Sequence, residues 1–186
     1  GNGETGLYLA ESEDGLTWRA LNGDKSLITP VVGESKLMRD PSITRGPDGV
    51  FHMVWTTSWN GTTLGYASSR DLKTWSAQRT FACVDGASNC WAPEVFYDSA
   101  TKDFVVVWAS TVKGRFPETL GKGSKDYNHR LYFVRTRDFV TFTPAKLFYD
   151  PGFQVIDGAL FRHAGKYWMV AKNETERPAA KYLFLT

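Results

Sequence analysis

A seven-residue pattern recurs three times in this chain and constrains the fold more than any other feature. The copies occupy residues 12–18, 69–75 and 136–142. Each copy reads Ser or Thr, any residue, Asp, two further residues, Thr, and then Trp or Phe, and each follows an alternating apolar run. Strands joined by the same turn at spacings of roughly 60 residues are typical of repeat β-architectures such as propellers. The sequence therefore predicts an all-β fold built from repeated units.

The recurring aspartates have a structural explanation in the chemistry of tight turns. Asp14, Asp71 and Asp138 occupy the same position of the pattern, where a carboxylate can accept hydrogen bonds from nearby backbone N–H groups. The aromatic residue that ends each copy, such as Trp18 or Trp75, starts the next strand. We expect these rings to be buried between units.

The segments beside the copies predict the rest of each unit. Strand–turn–strand patterns rich in β-branched and aromatic residues cover residues 40–55, 92–108 and 156–171. Together with the hairpin that carries the recurring turn, each gives a unit of about four strands. We predict one partial β-propeller domain over residues 1–186, with about three four-stranded blades and the start of a fourth at residues 181–186. A long polar segment at residues 111–130 departs from this plan, and such loops are commonly functional or mobile.

Composition and charge narrow the functional classes. The chain has 22 Lys and Arg residues against 20 Asp and Glu residues, a net charge of +2, which gives no basis for binding nucleic acid or an anionic membrane. No apolar run approaches the ~20 residues that a membrane span needs. Cys83 and Cys90 offer too few ligands for zinc, and we predict no metal or cofactor.

The same two cysteines bear on location. They either form a short disulfide-closed loop or remain free thiols at the base of that loop, because spacing alone does not give the geometry of a bridge. A disulfide would suit an oxidising compartment. We therefore expect a secreted or periplasmic protein.

Three further acids occupy related positions in the predicted hairpins. The hairpins are aligned on Ile43, Phe96 and Leu160. Asp40 and Asp157 then share one position, and Glu94 falls one place away. The first strand of each propeller blade lines the central channel, so these acids would converge at one mouth of it. Converging carboxyl groups are the catalytic groups that glycoside hydrolysis uses, although each acid taken alone could simply cap a strand end.

Four other residues are candidates for substrate contact. Trp59 lies in a polar turn and Trp91 directly precedes the second acid segment, so either ring could stack on a sugar; the alternative for Trp59 is packing against a neighbouring unit. Arg39 could pair with a carboxylate and hold it ionised, or be a solvated surface charge. His129 ends the long polar segment and could point into the site, although a lone histidine is more often structural.

At these acids the chain resembles glycoside hydrolase family 43. The resemblance rests on residues 39–43, 91–95 and 155–159. It implies a five-bladed propeller that releases arabinofuranosyl or xylosyl units from a carbohydrate substrate with inversion. By this resemblance Asp40 is the general base that activates water, and Asp157 raises the pKa of the general acid and orients it. Glu94 stands where the family usually has Asp and is expected to line the channel or contact substrate.

The resemblance also implies a missing part. The general acid of the family is a Glu on the following blade, and the nearby Glu174 and Glu176 fall in a loop on the wrong element. We therefore expect the chain to be a truncated hydrolase whose acid lies beyond it. The alternatives are an inactive carbohydrate-binding propeller, a sialidase-like glycosidase, for which no arginine cluster with a tyrosine nucleophile is evident, and a structural scaffold.

Overall fold

The computed structural model describes residues 2–123 and 126–186, and within these ranges it confirms an all-β chain. The strands are β1 (Ala10–Glu11), β2 (Arg19–Ala20), β3 (Arg39–Arg45), β4 (Phe51–Thr56), β5 (Thr63–Ser69), β6 (Arg79–Ala82), β7 (Trp91–Asp98), β8 (Asp103–Ser110), β9 (Arg130–Thr136), β10 (Lys146–Tyr149), β11 (Val155–His163), β12 (Lys166–Asn173) and β13 (Tyr182–Leu185). Two short 3-10 helices occupy Asn22–Asp24 and Pro117–Thr119. No helix in the described ranges is long and apolar enough to cross a bilayer.

The strands form four antiparallel sheets in chain order. Strands β3 to β6 and β7 to β10 each form a four-stranded sheet, β11 to β13 form a three-stranded sheet, and β1 pairs with β2. Within each sheet every strand pairs with its neighbours along the chain, because short turns favour antiparallel neighbours. The recurring turn joins the third strand of a sheet to the fourth in both four-stranded sheets.

The recurring turns have the structural role that the sequence predicts. The Asp71 carboxylate accepts hydrogen bonds from the backbone N–H groups of Lys73 and Thr74, at 2.8 and 2.7 Å. The Ser69 hydroxyl accepts one from Leu72 at 2.9 Å. These backbone donors lower the pKa of Asp71 to about 2, because they stabilise the charged form. The first and third copies repeat the same bonds.

The aromatic residues that follow the turns behave differently in different copies. Phe142 stacks on Phe81 of the preceding four-stranded sheet, with ring centroids 4.6 Å apart, and Trp75 packs against a buried cluster. Trp18, however, is 62% exposed, so the expectation that it is buried is wrong. It borders the two-stranded sheet, and in the part of the chain that the structure describes no further strand pairs beside β2.

The hydrophobic core lies between sheets and sets the first strands side by side. One buried cluster joins the two four-stranded sheets through residues such as Val54 and Val106, and a second joins the next pair of sheets through Val107 and Val155. Strand β7 consequently packs against β3 on one side and β11 on the other. The starts of these three strands therefore lie next to one another.

The loops around this face are held by covalent and ionic links. Cys83 and Cys90 form a disulfide. In the long segment predicted to be functional, residues 124 and 125 lie outside the described ranges. Its end is anchored by Arg130, which is completely buried and donates to Asp150 at 2.5 Å.

Candidate active site

The first strand of each of the three larger sheets contains a β-bulge at the same point. At that point the backbone of Asp40, Ala92 and Asp157 is left-handed, with φ of 48°, 46° and 55°. Non-glycine residues rarely adopt this conformation, and bulges and strained residues concentrate near functional sites. The equivalence of Asp40 and Asp157 is confirmed by the strand register.

The register corrects the position of Glu94. The equivalent of the two aspartates on β7 is Ala92, and Glu94 lies two residues further along, opposite Val107. It thus corresponds to Ser42, which lies opposite Val54 on β3. The expectation of a one-residue offset was wrong because the equivalent of Ile43 and Leu160 on β7 is Val95, opposite Val106, and not Phe96.

The three acids share one open cleft of about 330 Å³. Its walls are the bulges of the three first strands, and its ionisable side chains are Asp40, Glu94 and Asp157. The Val95 N–H group donates to the Ser42 hydroxyl at 3.1 Å, which ties β7 to β3 across the cleft. The structure therefore brings together the three carboxylates that the sequence singled out.

The surroundings of the cleft favour the neutral forms of two carboxyls. Burial raises the pKa of Glu94, and a hydrogen bond with the Ser42 hydroxyl opposes that rise. Burial also raises the pKa of Asp157; Lys172 opposes this effect, while the negative charges of Asp40 and Glu174 add to it. Crowded, partly desolvated acids are the arrangement from which active sites obtain shifted pKa values.

We expect Asp157→Asn to stabilise the folded chain at pH 7. The raised pKa means that ionised Asp157 opposes folding, and this cost is present above the folded-state pKa and absent below the unfolded value of about 4. Asparagine also tolerates the left-handed backbone. Urea unfolding should show a higher midpoint for the variant at pH 7 and no gain at pH 3.5.

The matched control is Asp24→Asn, because Asp24 is exposed and has the same left-handed backbone, with φ of 58°. It should leave the midpoint unchanged at both pH values. A loss of stability in Asp157→Asn at pH 7 would show that the carboxylate makes a net favourable interaction in the fold.

An aromatic wall borders the cleft, formed by Trp59, Trp91 and Tyr127. The Trp91 ring lies edge-on to Trp59 at 5.6 Å and to Tyr127 at 4.6 Å between centroids. Its indole N–H donates to the backbone carbonyl of Trp59 at 2.8 Å. Trp91 directly precedes the bulge residue Ala92, so the wall begins at the rim of the cleft.

Two predicted site residues support this wall. The Arg39 guanidinium lies over the Trp59 ring, 4.1 Å from its centroid. In the described ranges Arg39 forms no ion pair, so the expected pairing with a carboxylate is not found. The His129 ring is 1% exposed and packs behind Trp91 at 4.6 Å, which places it away from the open cleft.

The environment of His129 keeps its imidazole neutral. Burial is the main cause, and together with the positive charge of Arg130 it lowers the pKa of His129 to about 3, although Glu174 opposes the change. The ring Nε2 lies 2.8 Å from the side-chain amide nitrogen of Asn89. This geometry makes Nε2 the acceptor and fixes the ring that backs Trp91.

Tyr127 is the wall residue that sequence reasoning missed. It lies in the long polar segment beside Asn128, and its hydroxyl donates to the Asn60 side chain at 3.1 Å. An aromatic residue in a polar loop is the signal that singled out Trp59, and the same signal could have found Tyr127.

Glu174 is close to the cleft but is unsuited to donate a proton. Its carboxylate pairs with Lys172 at 2.8 Å and with Lys181 at 3.1 Å. Burial alone would raise the pKa of Glu174, but these two lysines outweigh it and the pKa is lowered. An ionised carboxylate held by two ammonium groups is a poor general acid.

Comparisons with known proteins identify a family that matches nearly the whole chain. A family model described as a probable glycosyl hydrolase domain, related to glycoside hydrolase family 43, matches residues 1–182. A curated alpha-L-arabinofuranosidase from Bifidobacterium longum subsp. longum is 26% identical, with 98% of this chain and 19% of the relative covered.

Solved structures give the fold. An exo-1,5-alpha-L-arabinanase from a bovine ruminal metagenomic library has a TM-score of 0.64 at 13% identity and covers 94% of this chain. A Hadza microbial sialidase has a TM-score of 0.60 at 17% identity and covers 90% of this chain. The chain spans 60% and 41% of these two structures and about a fifth of the curated relative.

Proposed function

Because the chain belongs to the family of probable glycosyl hydrolase domains related to glycoside hydrolase family 43, we propose that it is part of an inverting glycosidase that releases arabinofuranosyl units from plant-wall glycans. The observation that carries the proposal is the convergence of Asp40 and Asp157, at equivalent bulges, on one cleft with Glu94. The names of the arabinofuranosidase and arabinanase relatives support arabinose rather than xylose as the released sugar.

In the proposed mechanism Asp40 is the general base. It is exposed at the bulge of β3, where it can take a proton from a water molecule that attacks the anomeric carbon. The proton passes to the Asp40 carboxylate while the bond to the leaving oxygen breaks. Inversion requires the base and the acid to lie about 6.5–9.5 Å apart, on opposite faces of the sugar.

Asp157 and a further Glu complete the proposed chemistry. A carboxylate close to a second acid disfavours ionisation of that acid, so Asp157 would keep the proton donor protonated near neutral pH. Lys172, which lies opposite Ile156 in the sheet, favours the ionised form of Asp157. We assign the donor to a Glu on a further sheet, since the ion pairs of Glu174 disqualify it.

We further propose that the three larger sheets are blades of a five-bladed propeller. The first strand of each lines the cleft, and β1 and β2 carry the recurring turn that elsewhere joins the third and fourth strands of a sheet. The partial coverage of the relatives supports this assignment. The disulfide between Cys83 and Cys90 supports a secreted or periplasmic location.

A sialidase-like activity is the less favoured alternative. The fold does not separate the two, because a sialidase is among the similar structures. The chemistry of the cleft favours the arabinofuranosidase over the sialidase-like activity. The residues that line the cleft in the described ranges include three acids and neither arginine nor tyrosine. A pure binding function needs no general base, and it would show as sugar binding without hydrolysis.

The test is hydrolysis of 4-nitrophenyl α-L-arabinofuranoside, with the β-D-xyloside and an aryl sialoside as comparison substrates. The 186-residue chain is compared with a form extended to the length of its solved relatives. We expect the extended form to cleave the arabinofuranoside best and the short chain to be inactive. Release of sialic acid, or sugar binding by the extended form without any hydrolysis, would overturn the proposal.

A further inference from the structure

The loop that carries Trp59 is held by a side chain from elsewhere in the chain. This Trp59 loop, residues 57–62, joins β4 to β5 and lies outside the strand ladder. Trp59 itself is 43% exposed, so burial of its ring does not explain why the loop takes one conformation. The explanation lies in the segment of residues 33–35, which packs against the loop.

Glu34 bonds to both ends of the Trp59 loop. One carboxylate oxygen accepts from the hydroxyls of Thr57 and Thr63, at 3.2 and 3.1 Å. The other oxygen accepts from the backbone N–H of Thr62 at 2.8 Å and from its hydroxyl at 3.3 Å. Burial would raise the pKa of Glu34, but these donors outweigh it and keep the carboxylate ionised.

The fit between Glu34 and the loop is close enough to exclude larger residues at two glycines. A Cβ atom on Gly61 would lie 2.5 Å from a Glu34 carboxylate oxygen. A Cβ atom on Gly33, where φ is +86°, would lie 2.2 Å from the Cβ of Thr57. Beside them the Ser35 and Ser58 hydroxyls are 2.8 Å apart.

The other two rings of the aromatic wall depend on this loop. Trp91 donates its indole N–H to the Trp59 carbonyl at 2.8 Å, and the Tyr127 hydroxyl donates to the Asn60 side chain at 3.1 Å. Displacement of the loop would therefore remove one hydrogen bond from each ring. Glu34 lies in none of the strands that form the cleft.

We propose that Glu34 is the positioning residue of the aromatic wall, and that this wall binds the sugar units of an arabino-oligosaccharide that extend beyond the cleft. The proposal rests on the proposed function for the identity of the sugar. Aromatic faces suit the apolar faces of sugar rings, and the wall starts at Trp91, next to the cleft. Glu34 therefore affects the affinity for longer chains and leaves the binding of a single sugar unit unchanged.

The test is a tryptophan-fluorescence titration of the 186-residue chain with L-arabinose and with arabinopentaose. Glu34→Ala is expected to weaken arabinopentaose binding about tenfold, through loss of charge-assisted hydrogen bonds, and to leave arabinose binding unchanged. Glu34→Gln, which keeps one acceptor oxygen, should recover part of the affinity. The control Glu13→Gln, at an exposed glutamate outside the wall, should match the parent.

Two results separate a positioning role from a merely structural one. In a Trp59→Ala background, Glu34→Ala should weaken binding less than it does in the parent, because the two changes share the Trp59 ring while Trp91 and Tyr127 remain. Equal weakening of arabinose and arabinopentaose, additive effects in that background, or unchanged binding in both Glu34 variants would overturn the proposal. The proposed function is tested separately: an extended form that hydrolyses nothing would reject it even if the chain-length effect is present.

Discussion

Asp40→Asn in the extended form is expected to lower kcat on the arabinofuranoside by about 10²–10⁴-fold, the usual contribution of a general base. The KM value should change little, because an amide fills the same volume and can still hydrogen-bond to water or sugar. Asparagine is the informative replacement at this position. It tolerates the left-handed backbone of Asp40, where φ is 48°, whereas alanine would add strain.

The control for this variant is Asp48→Asn. Asp48 lies in the turn between β3 and β4, where its carboxylate accepts from the Val50 N–H group at 3.1 Å, and an amide oxygen can replace that bond. Initial rates should therefore stay close to those of the parent. If Asp40→Asn retains a third or more of the parent kcat, another group activates water and the assignment of Asp40 fails.

Asp150→Ala is expected to destabilise the folded chain by about 3 kcal/mol, because it leaves a buried guanidinium without its main partner. Arg130 is 0% exposed, and its closest anion is Asp150 at 2.5 Å. Its second anion, Glu118, is 3.5 Å away. Urea unfolding should show a lower midpoint with an unchanged m value.

The matched control is Glu118→Ala. The Glu118 side chain is 58% exposed, so its removal should cost less than about 1 kcal/mol. Arg130 also donates to the backbone carbonyl of His129 at 3.0 Å, so Asp150→Ala should loosen the ring that supports Trp91. Similar losses for the two variants would mean that solvent, rather than Asp150, balances the charge of Arg130.

The repeat made much of the fold predictable. Local turn chemistry assigned Asp14, Asp71 and Asp138 to the turns, and the structure confirms it. The equivalence of Asp40 and Asp157 could also be predicted, because each lies three residues before the apolar anchor of its hairpin. The offset of Glu94 could not be predicted, since the run of apolar residues does not show whether Val95 or Phe96 is the equivalent of Ile43.

Contacts between distant segments account for what the sequence did not reveal. Arg39 stacks on Trp59 instead of pairing with an acid, and Glu34 reaches a loop more than twenty residues further along the chain. Polar side chains of this kind have many possible partners, and no periodicity selects one. The recurring turn at residues 12–18 does not by itself bring a neighbouring sheet over Trp18, so this ring is exposed.

The most direct test of the central claim is proton NMR of arabinofuranoside hydrolysis by the extended form, recorded before the product anomers equilibrate. The α-linked substrate should first yield β-L-arabinofuranose, since Asp40 directs water to the face opposite the leaving group. First release of the α anomer would mean a covalent intermediate and two closely spaced carboxyls, and it would contradict the role of Asp40 as a base.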